Sequence, residues 1–307
     1  MRKYGKTGAG TPRWFCTLCK QSTVWKRGDL TDLSLKREFA LWLRGNGSLS
    51  ELAQKRKTSA RTVMRSFRKL WKIQLPKQPL VPTGYTLICD GVYIHKRECC
   101  VLVGTRQSNV LMWRFVPYET STTWSLFFRE LPQPEALVCD GQKGMLLAAR
   151  TIWKEARIQR CLAHTMRSLH TYLTKHPQTI AGKNLQELAQ ELPRVWTRRQ
   201  RRRWIHSYFR LFHRHSLLLK ERSYIKHTDG TIQWWYTHRN LRSAYYVIKH
   251  SLPYLFTYVG HCAIPRTSNY VEGGINARLK ELLRRHRGLT VEKKKVLTSY
   301  FLLSKQR

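Results

Sequence analysis

The chain has 307 residues, of which 57 are Lys or Arg and only 18 are Asp or Glu, so its formal net charge at pH 7 is +39. A folded chain with this charge repels itself unless a polyanion neutralises it, which makes a nucleic acid the expected partner. No segment has 18 consecutive apolar residues and no apolar signal-peptide core follows Met1, so we expect no membrane association and a cytoplasmic protein.

The first thirty residues contain a Cys-x-x-Cys pair, Cys16 and Cys19, which supplies half of a tetrahedral zinc site. No second Cys or His pair follows within the next thirty residues. The Gly-rich stretch 5–11 is typical of the turn between the two knuckles of a zinc ribbon. We therefore predict a partial zinc ribbon over residues 1–30, whose first knuckle would lie upstream of Met1, and we expect zinc only as an incomplete site.

Residues 31–74 have helical periodicity. Ser48 and Glu51 form a capping-box signature, and three apolar residues recur at i, i+4 and i+7 in a helix predicted over residues 58–71. This pattern predicts a helix-turn-helix DNA-binding domain whose last helix enters the major groove. A three-helix bundle with a solvated basic face is the open alternative. The side chains expected to contact DNA are Arg61, Arg65, Arg68 and Lys69.

Residues 84–164 alternate between strand and helix patterns. The order is three strands at hairpin spacing, then helix, strand, helix and strand, which is typical of a ribonuclease-H-like α/β domain. In that order the first and fourth strands lie side by side. The predicted segments are the strands 85–89, 98–103, 110–116, 136–139 and 157–161 and the helices 122–131 and 143–153.

Two similar phrases, Leu-Ile-Cys-Asp90-Gly and Leu-Val-Cys-Asp140-Gly, each end an apolar run with an acid. A carboxylate at the end of a buried strand is costly to desolvate unless a cation or a hydrogen-bond donor lies beside it. We therefore expect Asp90 and Asp140 to end the first and fourth strands and to meet at one edge of the sheet, where they bind metal. Two ordinary Asp-Gly turns are the alternative.

Residues 165–262 lose the strand pattern and are predicted to form an all-helical insertion, after which residues 263–307 return to the ribonuclease-H-like domain as helices. Trp234 and Trp235 in the insertion either stack on an unpaired base or belong to a core. In the last segment Glu272 is the preferred candidate for a third metal-binding acid beside Asp90 and Asp140, because small and polar residues surround it. The other candidates, Glu281 and Glu292, lie among Lys and Arg and are expected to form solvated helix pairs.

Asp90, Asp140 and Glu272 together suit two Mg²⁺ or Mn²⁺ ions, which clamp the attacking and leaving oxygens of a phosphodiester. With the motifs Asp140-Gly-Gln-Lys-Gly, Cys161-Leu-Ala-His164 and Asn269-Tyr-Val-Glu272-Gly, the chain resembles a DDE transposase of a bacterial insertion sequence. The resemblance is to the group related to eukaryotic mutator-like elements, and it covers about residues 5–304.

The resemblance implies an enzyme that binds the terminal inverted repeats of its element and catalyses metal-dependent strand cleavage and strand transfer into target DNA. It implies that Asp90, Asp140 and Glu272 carry the metals and that the chain acts as a homodimer or higher oligomer in a synapse. Cys161 and His164 are a family motif near the site, for which structural packing is the expected role. A catalytically silent DNA-binding protein derived from a transposase and a nuclease of the same fold remain alternatives.

Overall fold

A computed structural model describes residues 1–8, 10–24, 28–45, 47–77, 81–95 and 99–306, with the backbone alone for residues 28–32. The chain forms two compact units, Met1–Lys72 and Ile73–Arg307. Glu98, the first residue of the predicted second strand, lies outside the described residues.

The first unit contains a small antiparallel sheet followed by three helices. Aromatic residues form the helical core, where the rings of Phe39 and Phe67 are 5.1 Å apart and those of Trp42 and Phe67 are 5.8 Å apart. The predicted capping box of Ser48 and Glu51 is confirmed, with both reciprocal hydrogen bonds formed. The elements are β1 Arg2–Lys6, β2 Pro12–Phe15, β3 Ser22–Val24, α1 Gly28–Leu43, α2 Leu49–Lys55 and α3 Ala60–Ser66, with a 3₁₀ turn Phe67–Leu70.

The second unit is a mixed α/β structure. Its first half follows the predicted order of strands and helices, and its second half is mostly helical. The elements are β4 Thr86–His95, β5 Cys99–Arg106, β6 Asn109–Val116, α4 Ser121–Phe128, β7 Ala136–Cys139, α5 Lys143–Ile152, β8 Arg157–Arg160, α6 Leu162–Leu173, α7 Ile180–Gln190, α8 Arg198–Arg214, α9 Ser216–Lys220, β9 Arg222–Lys226, β10 Ile232–Tyr236, α10 Arg239–Leu255, α11 Asn269–Val271, α12 Ala277–Arg285 and α13 Val291–Leu303.

The main sheet has the order β6-β5-β4-β7-β8, with β4, β5 and β6 antiparallel and β4, β7 and β8 parallel. This five-stranded mixed sheet is consistent with a ribonuclease-H-like core. The expectation that Asp90 ends its strand is wrong, because β4 continues to His95 and Asp90 pairs with Val103 of β5. The apolar run stops at Cys89, but the alternating residues that follow keep one face buried, so the ladder continues.

Successive residues of the central strands point to opposite faces of the sheet, and helices cover both faces. Leu87 and Cys89 pack in a core with residues of α4 and α5. Ile88, on the opposite face, packs in a second core with residues of α6, α7, α8 and α10. The site described below lies where the central strands leave these two cores.

The predicted all-helical insertion is wrong in one part, because β9 and β10 form an antiparallel hairpin between α9 and α10. Its strands are rich in aromatic and β-branched residues, and the turn contains Asp229-Gly230, with Gly230 at φ +85°. Alternating strand residues around an Asp-Gly turn are a hairpin signal. The surrounding helical periodicity obscured this signal in the sequence.

The last segment is one helical run with an irregular turn in it. Residues Glu272–Asn276 are π-helical and join α11 to α12 directly. Short π-helical turns are frequent at functional sites. None of the helices in the described ranges combines the length and the apolar character that a membrane span requires.

Candidate functional site

Asp90 lies in β4, and Asp140 follows directly after β7, the parallel neighbour of β4. Ile88 of β4 pairs with Val138 of β7, and each aspartate lies two residues beyond its member of this pair. The expectation that the two strands are neighbours is confirmed by this register. Both carboxylates therefore emerge at the same edge of the sheet.

The Asp90 carboxyl is difficult to ionise in this setting. Burial and the neighbouring Asp140 carboxylate raise the pKa of Asp90 to about 7, although His164 opposes the shift. The backbone N–H of Gly91 donates to Oδ1 of Asp90 over 3.0 Å, and Asn276 donates from Nδ2 to Oδ2. A cation at this position would stabilise the charged form that the protein alone disfavours.

Gln142 holds the turn that follows β7. Its backbone N–H donates to Oδ1 of Asp140 over 2.8 Å, and its side chain donates to the carbonyl of Glu119 over 3.3 Å. Its side-chain oxygen accepts a 3.1 Å hydrogen bond from the buried Trp124 indole. Gln142 thus fixes the loop of Asp140 to the segment that enters α4.

That segment brings a fourth carboxylate, Glu119, which sequence reasoning missed. A Cβ added to Gly91 would lie 2.3–2.5 Å from the carboxylate atoms of Glu119, so this carboxylate packs directly on the residue after Asp90. Burial and the charge of Asp140 raise the pKa of Glu119. The available signal was the position of a scarce acid shortly after β6, whose end lies at the same sheet edge as Asp90 and Asp140.

Glu272 is held by three polar neighbours. Arg167 donates to its Oε2 over 2.8 Å, and the Ser268 hydroxyl donates to its Oε1 over 3.0 Å. His164 places Nδ1 3.3 Å from the same Oε1. Burial would raise the pKa of Glu272, but the Arg167 hydrogen bond, His164 and the Ser268 hydrogen bond together hold it below its usual value.

The π-helical turn that begins at Glu272 also carries Asn276, which is only 4% exposed. Asn276 donates to Asp90, whereas its own Oδ1 is buried without a hydrogen bond to any described residue. The charge of Glu272 contributes to the raised pKa of Asp90. The segment of Glu272 therefore lies against the strand of Asp90.

The predicted motif residues Cys161 and His164 lie beside Glu272. One donor atom from each of these three residues lies within 4.8 Å of the donor atoms of the other two. Within the described ranges, Asp90, Asp140 and Glu272 do not form a cluster this tight. In this conformation Glu272 is thus turned towards His164 and Arg167.

The two alternative acids, Glu281 and Glu292, behave as predicted. Glu281 pairs with Arg285 at 2.5 Å on α12, and Glu292 pairs with Lys295 at 2.8 Å on α13. Both are exposed pairs within one helix, which contribute little to stability.

In the first unit, Cys16 and Cys19 occupy the turn between β2 and β3. Hydrogen bonds from the Cys19 and Leu18 backbones lower the pKa of the Cys16 thiol. Among the described residues, no third donor joins these two cysteines. They stay half of a site, and the zinc ribbon stays a prediction.

The basic residues that were assigned to DNA are all exposed, on α3 and the 3₁₀ turn that follows it. Between them, Val63 and Phe67 are fully buried in the helical core. One face of this segment thus packs in the helical core, and the other is exposed and positively charged. The residues with this exposure are Arg61, Arg65, Arg68 and Lys69.

Comparison with known protein families identifies part of the chain. Residues 94–239, just under half of the chain, match the model of the family described as transposase, Mutator family. The matched range contains Asp140, Cys161 and His164, and it lies between Asp90 and Glu272. No curated protein matches the chain at a significant level. The resemblance inferred from the sequence is confirmed over this range: residues 94–239 match the Mutator family of transposases, and the match supports DNA binding and DNA transposition.

Proposed function

We propose that the chain is the DDE-type transposase of a bacterial insertion sequence, which cleaves DNA at the terminal repeats of its element and transfers the freed strand to target DNA. The observation that carries the proposal is the register of β4 and β7, which brings Asp90 and Asp140 to one edge beside the segment of Glu272. The Mutator-family match supports the same class of reaction.

The donor set suits hard divalent cations. Asp90, Asp140 and Glu272 offer carboxylate oxygens, which Mg²⁺ and Mn²⁺ prefer. The raised pKa of Asp90 and the buried, unbonded Oδ1 of Asn276 are features that a bound cation with its water shell would relieve. Two such ions, when bound, would stabilise the charge that develops on the attacking and leaving oxygens of a phosphodiester.

The chain's own residues then have separate tasks. Asp90 and Asp140 provide a fixed pair of ligands because strand pairing and Gln142 hold their backbones. Glu272 lies on a π-helical turn and is held by Arg167. It must exchange at least part of that contact for metal when the site assembles. Arg167 would then be free to contact a phosphate.

Binding of DNA is assigned to several surfaces. The exposed basic face of α3 would read the terminal repeats as the second helix of a helix-turn-helix, with Arg61 and Arg65 as the leading base contacts. In the second unit, the β9–β10 hairpin exposes Trp234 and Trp235, at 46% and 40%, together with basic side chains. Such a surface suits stacking on unpaired bases. A homodimer or higher oligomer would bring two element ends together.

The proposal is tested with the full chain and DNA that carries the terminal repeats flanking its gene. Strand cleavage and strand transfer should require Mg²⁺ or Mn²⁺ and should be lost in Asp90→Ala and Asp140→Ala, with DNA affinity changed only a few-fold. Cleavage without strand transfer would identify a nuclease of the same fold. Specific binding without cleavage would identify a silent DNA-binding protein, and cleavage under full chelation would contradict the metal-dependent mechanism.

A further inference from the structure

Three residues of the second unit combine the donors of a transition-metal site. Cys161 precedes the first turn of α6, His164 lies in that turn, and Glu272 comes from the π-helical turn. Their donor atoms lie within 4.8 Å of one another. A thiolate, an imidazole and a carboxylate together suit Zn²⁺ rather than Mg²⁺.

The separation of one pair of donor atoms agrees with tetrahedral coordination. His164 Nδ1 and Glu272 Oε1 are 3.3 Å apart. Two such ligands, each about 2.0–2.1 Å from one tetrahedral zinc ion, lie about 3.3–3.4 Å apart. Nδ1 of His164 is also buried, and its neighbours among the described residues are the Glu272 carboxylate and the Cys161 sulfur. A metal between these three donor atoms would replace the contacts that they make with one another.

The surroundings stabilise the Cys161 thiolate and orient the Glu272 carboxylate. The backbone N–H of Ser268 donates to Sγ of Cys161 over 3.3 Å. Cys161 lies at the N-terminus of α6, a position that favours a thiolate, and against the opposing effect of burial the hydrogen bonds from His164 and Ser268 lower the pKa of its thiol. On Glu272, Arg167 occupies Oε2 and leaves Oε1 facing His164. Outer hydrogen bonds of this kind orient ligands at metal sites.

We propose that Cys161, His164 and Glu272 form a zinc-binding site with three protein ligands and one position for water. Binding uses Cys161 as a thiolate, and its proton is released to solvent. All three proposed ligands belong to the second unit, whereas Cys16 and Cys19 belong to the first. It shares only Glu272 with the proposed catalytic carboxylates.

This sharing has a functional consequence, which rests on the proposed function. With Oε1 of Glu272 bound to zinc beside His164 and Oε2 held by Arg167, neither oxygen of this carboxylate is available to the magnesium site of Asp90. Zinc would therefore hold the enzyme in a state that lacks its third catalytic carboxylate. The site would act as an inhibitory metal site.

Cobalt(II) is the probe, because its bond to a thiolate gives a sulfur-to-metal absorption band and it occupies tetrahedral zinc sites. The experiment uses the full chain with Cys16, Cys19 and Cys262 replaced by Ser, which removes the cysteines that are not buried. This triple variant is the starting protein for all further substitutions. We expect one Co²⁺ per chain with a thiolate band that Zn²⁺ abolishes. Cys161→Ser should remove the band, and Glu272→Gln should weaken metal affinity at least tenfold.

Cys139→Ser is the matched control, since Cys139 is equally buried but lies outside the cluster. It should keep the band. His164→Gln alters a partly exposed ring and tests the site without replacing the buried thiol; we expect at least a tenfold weaker affinity. Absence of a thiolate band from the starting protein, its survival in Cys161→Ser, or unchanged affinity in His164→Gln would overturn the proposal.

Inhibition is measured separately as the Mg²⁺-dependent cleavage rate with and without added Zn²⁺, each variant being compared with its own zinc-free rate. The starting protein should be inhibited several-fold and Cys161→Ser much less. A cobalt band in a protein that never cleaves DNA would leave the zinc site standing and refute the proposed function. Equal inhibition of both proteins would refute the inhibitory role.

Discussion

Asn276 donates a side-chain hydrogen bond to Asp90 across 186 positions of sequence. The bond joins the π-helical turn that begins at Glu272 to the central strand of the sheet. This contact links the segment of Glu272, the last of the three predicted carboxylates, to the strand of Asp90, the first.

Asn276→Ala should therefore loosen the site. The variant leaves Asp90 without its side-chain donor, a loss that costs about 1–3 kcal/mol in a buried setting. We expect a lower midpoint of unfolding and at least a tenfold weaker affinity for Mn²⁺ by isothermal titration calorimetry. Unchanged Mn²⁺ affinity would show that this contact does not position Asp90.

Gly91→Ala should displace Glu119, because the added Cβ would lie 2.3–2.5 Å from that carboxylate. We expect a loss of stability at the lower end of the about 1–3 kcal/mol that overpacking costs, because the atoms that must move are the end of the flexible Glu119 side chain. In a Glu119→Ala background the same change should cost much less, and urea unfolding of the four proteins of this cycle measures the difference. Gly288→Ala is the control, since its Cβ would meet nothing within 4 Å. Equal costs of Gly91→Ala in both backgrounds would refute the contact.

Asp90→Asn should stabilise the metal-free protein in a pH-dependent manner. The pKa of Asp90 is about 7 when folded, against 3.8 for an ordinary Asp, so the unfolded chain loses this proton first as pH rises. The wild type should lose stability relative to the variant between about pH 4 and pH 7, by about 4 kcal/mol in total. Urea unfolding in EDTA at several pH values measures this difference. A difference that does not change with pH would contradict the raised pKa.

Trp235→Ala should weaken binding of single-stranded DNA. Removing an exposed stacking platform costs about 1–3 kcal/mol per base, and Trp235→Phe should keep most of the affinity. Leu217→Ala, which removes an exposed apolar side chain from α9, is the matched control. Fluorescence anisotropy with labelled oligonucleotides measures the four affinities. Equal weakening by Trp235→Ala and Leu217→Ala would argue against stacking.

Much of the catalytic fold was predictable because strand and helix periods alternate clearly from residue 85 to residue 160. The strand 136–139 agrees with β7, and the helix 143–153 agrees with α5 to within one residue. The extent of β4 was not predictable, because Asp90 and Gly91 resemble a turn while the ladder to β5 carries the strand onward. Tertiary pairing overrode the local signal there.

The candidate site was predictable in its strand aspartates and less so elsewhere. Asp90 and Asp140 share a sequence phrase, and Glu272 follows a recognisable motif. Arg167 carries no local signal, and Glu119 offers only that of a scarce acid shortly after β6, because the roles of both depend on which elements pack together. Trp234 and Trp235 are exposed, although tryptophan is commonly buried. They lie on a two-stranded hairpin, which has no second layer of structure to cover its side chains.

The central claim is that Glu272 is the third metal-binding carboxylate, and the most direct test compares Glu272→Gln with Glu281→Gln. Glu281 forms an exposed ion pair with Arg285 on α12, which makes it a matched control. Mg²⁺-dependent cleavage of terminal-repeat DNA should fall below detection in Glu272→Gln, with DNA affinity within a few-fold of wild type, and should persist in Glu281→Gln. Cleavage retained by Glu272→Gln and lost in Glu281→Gln would contradict the account.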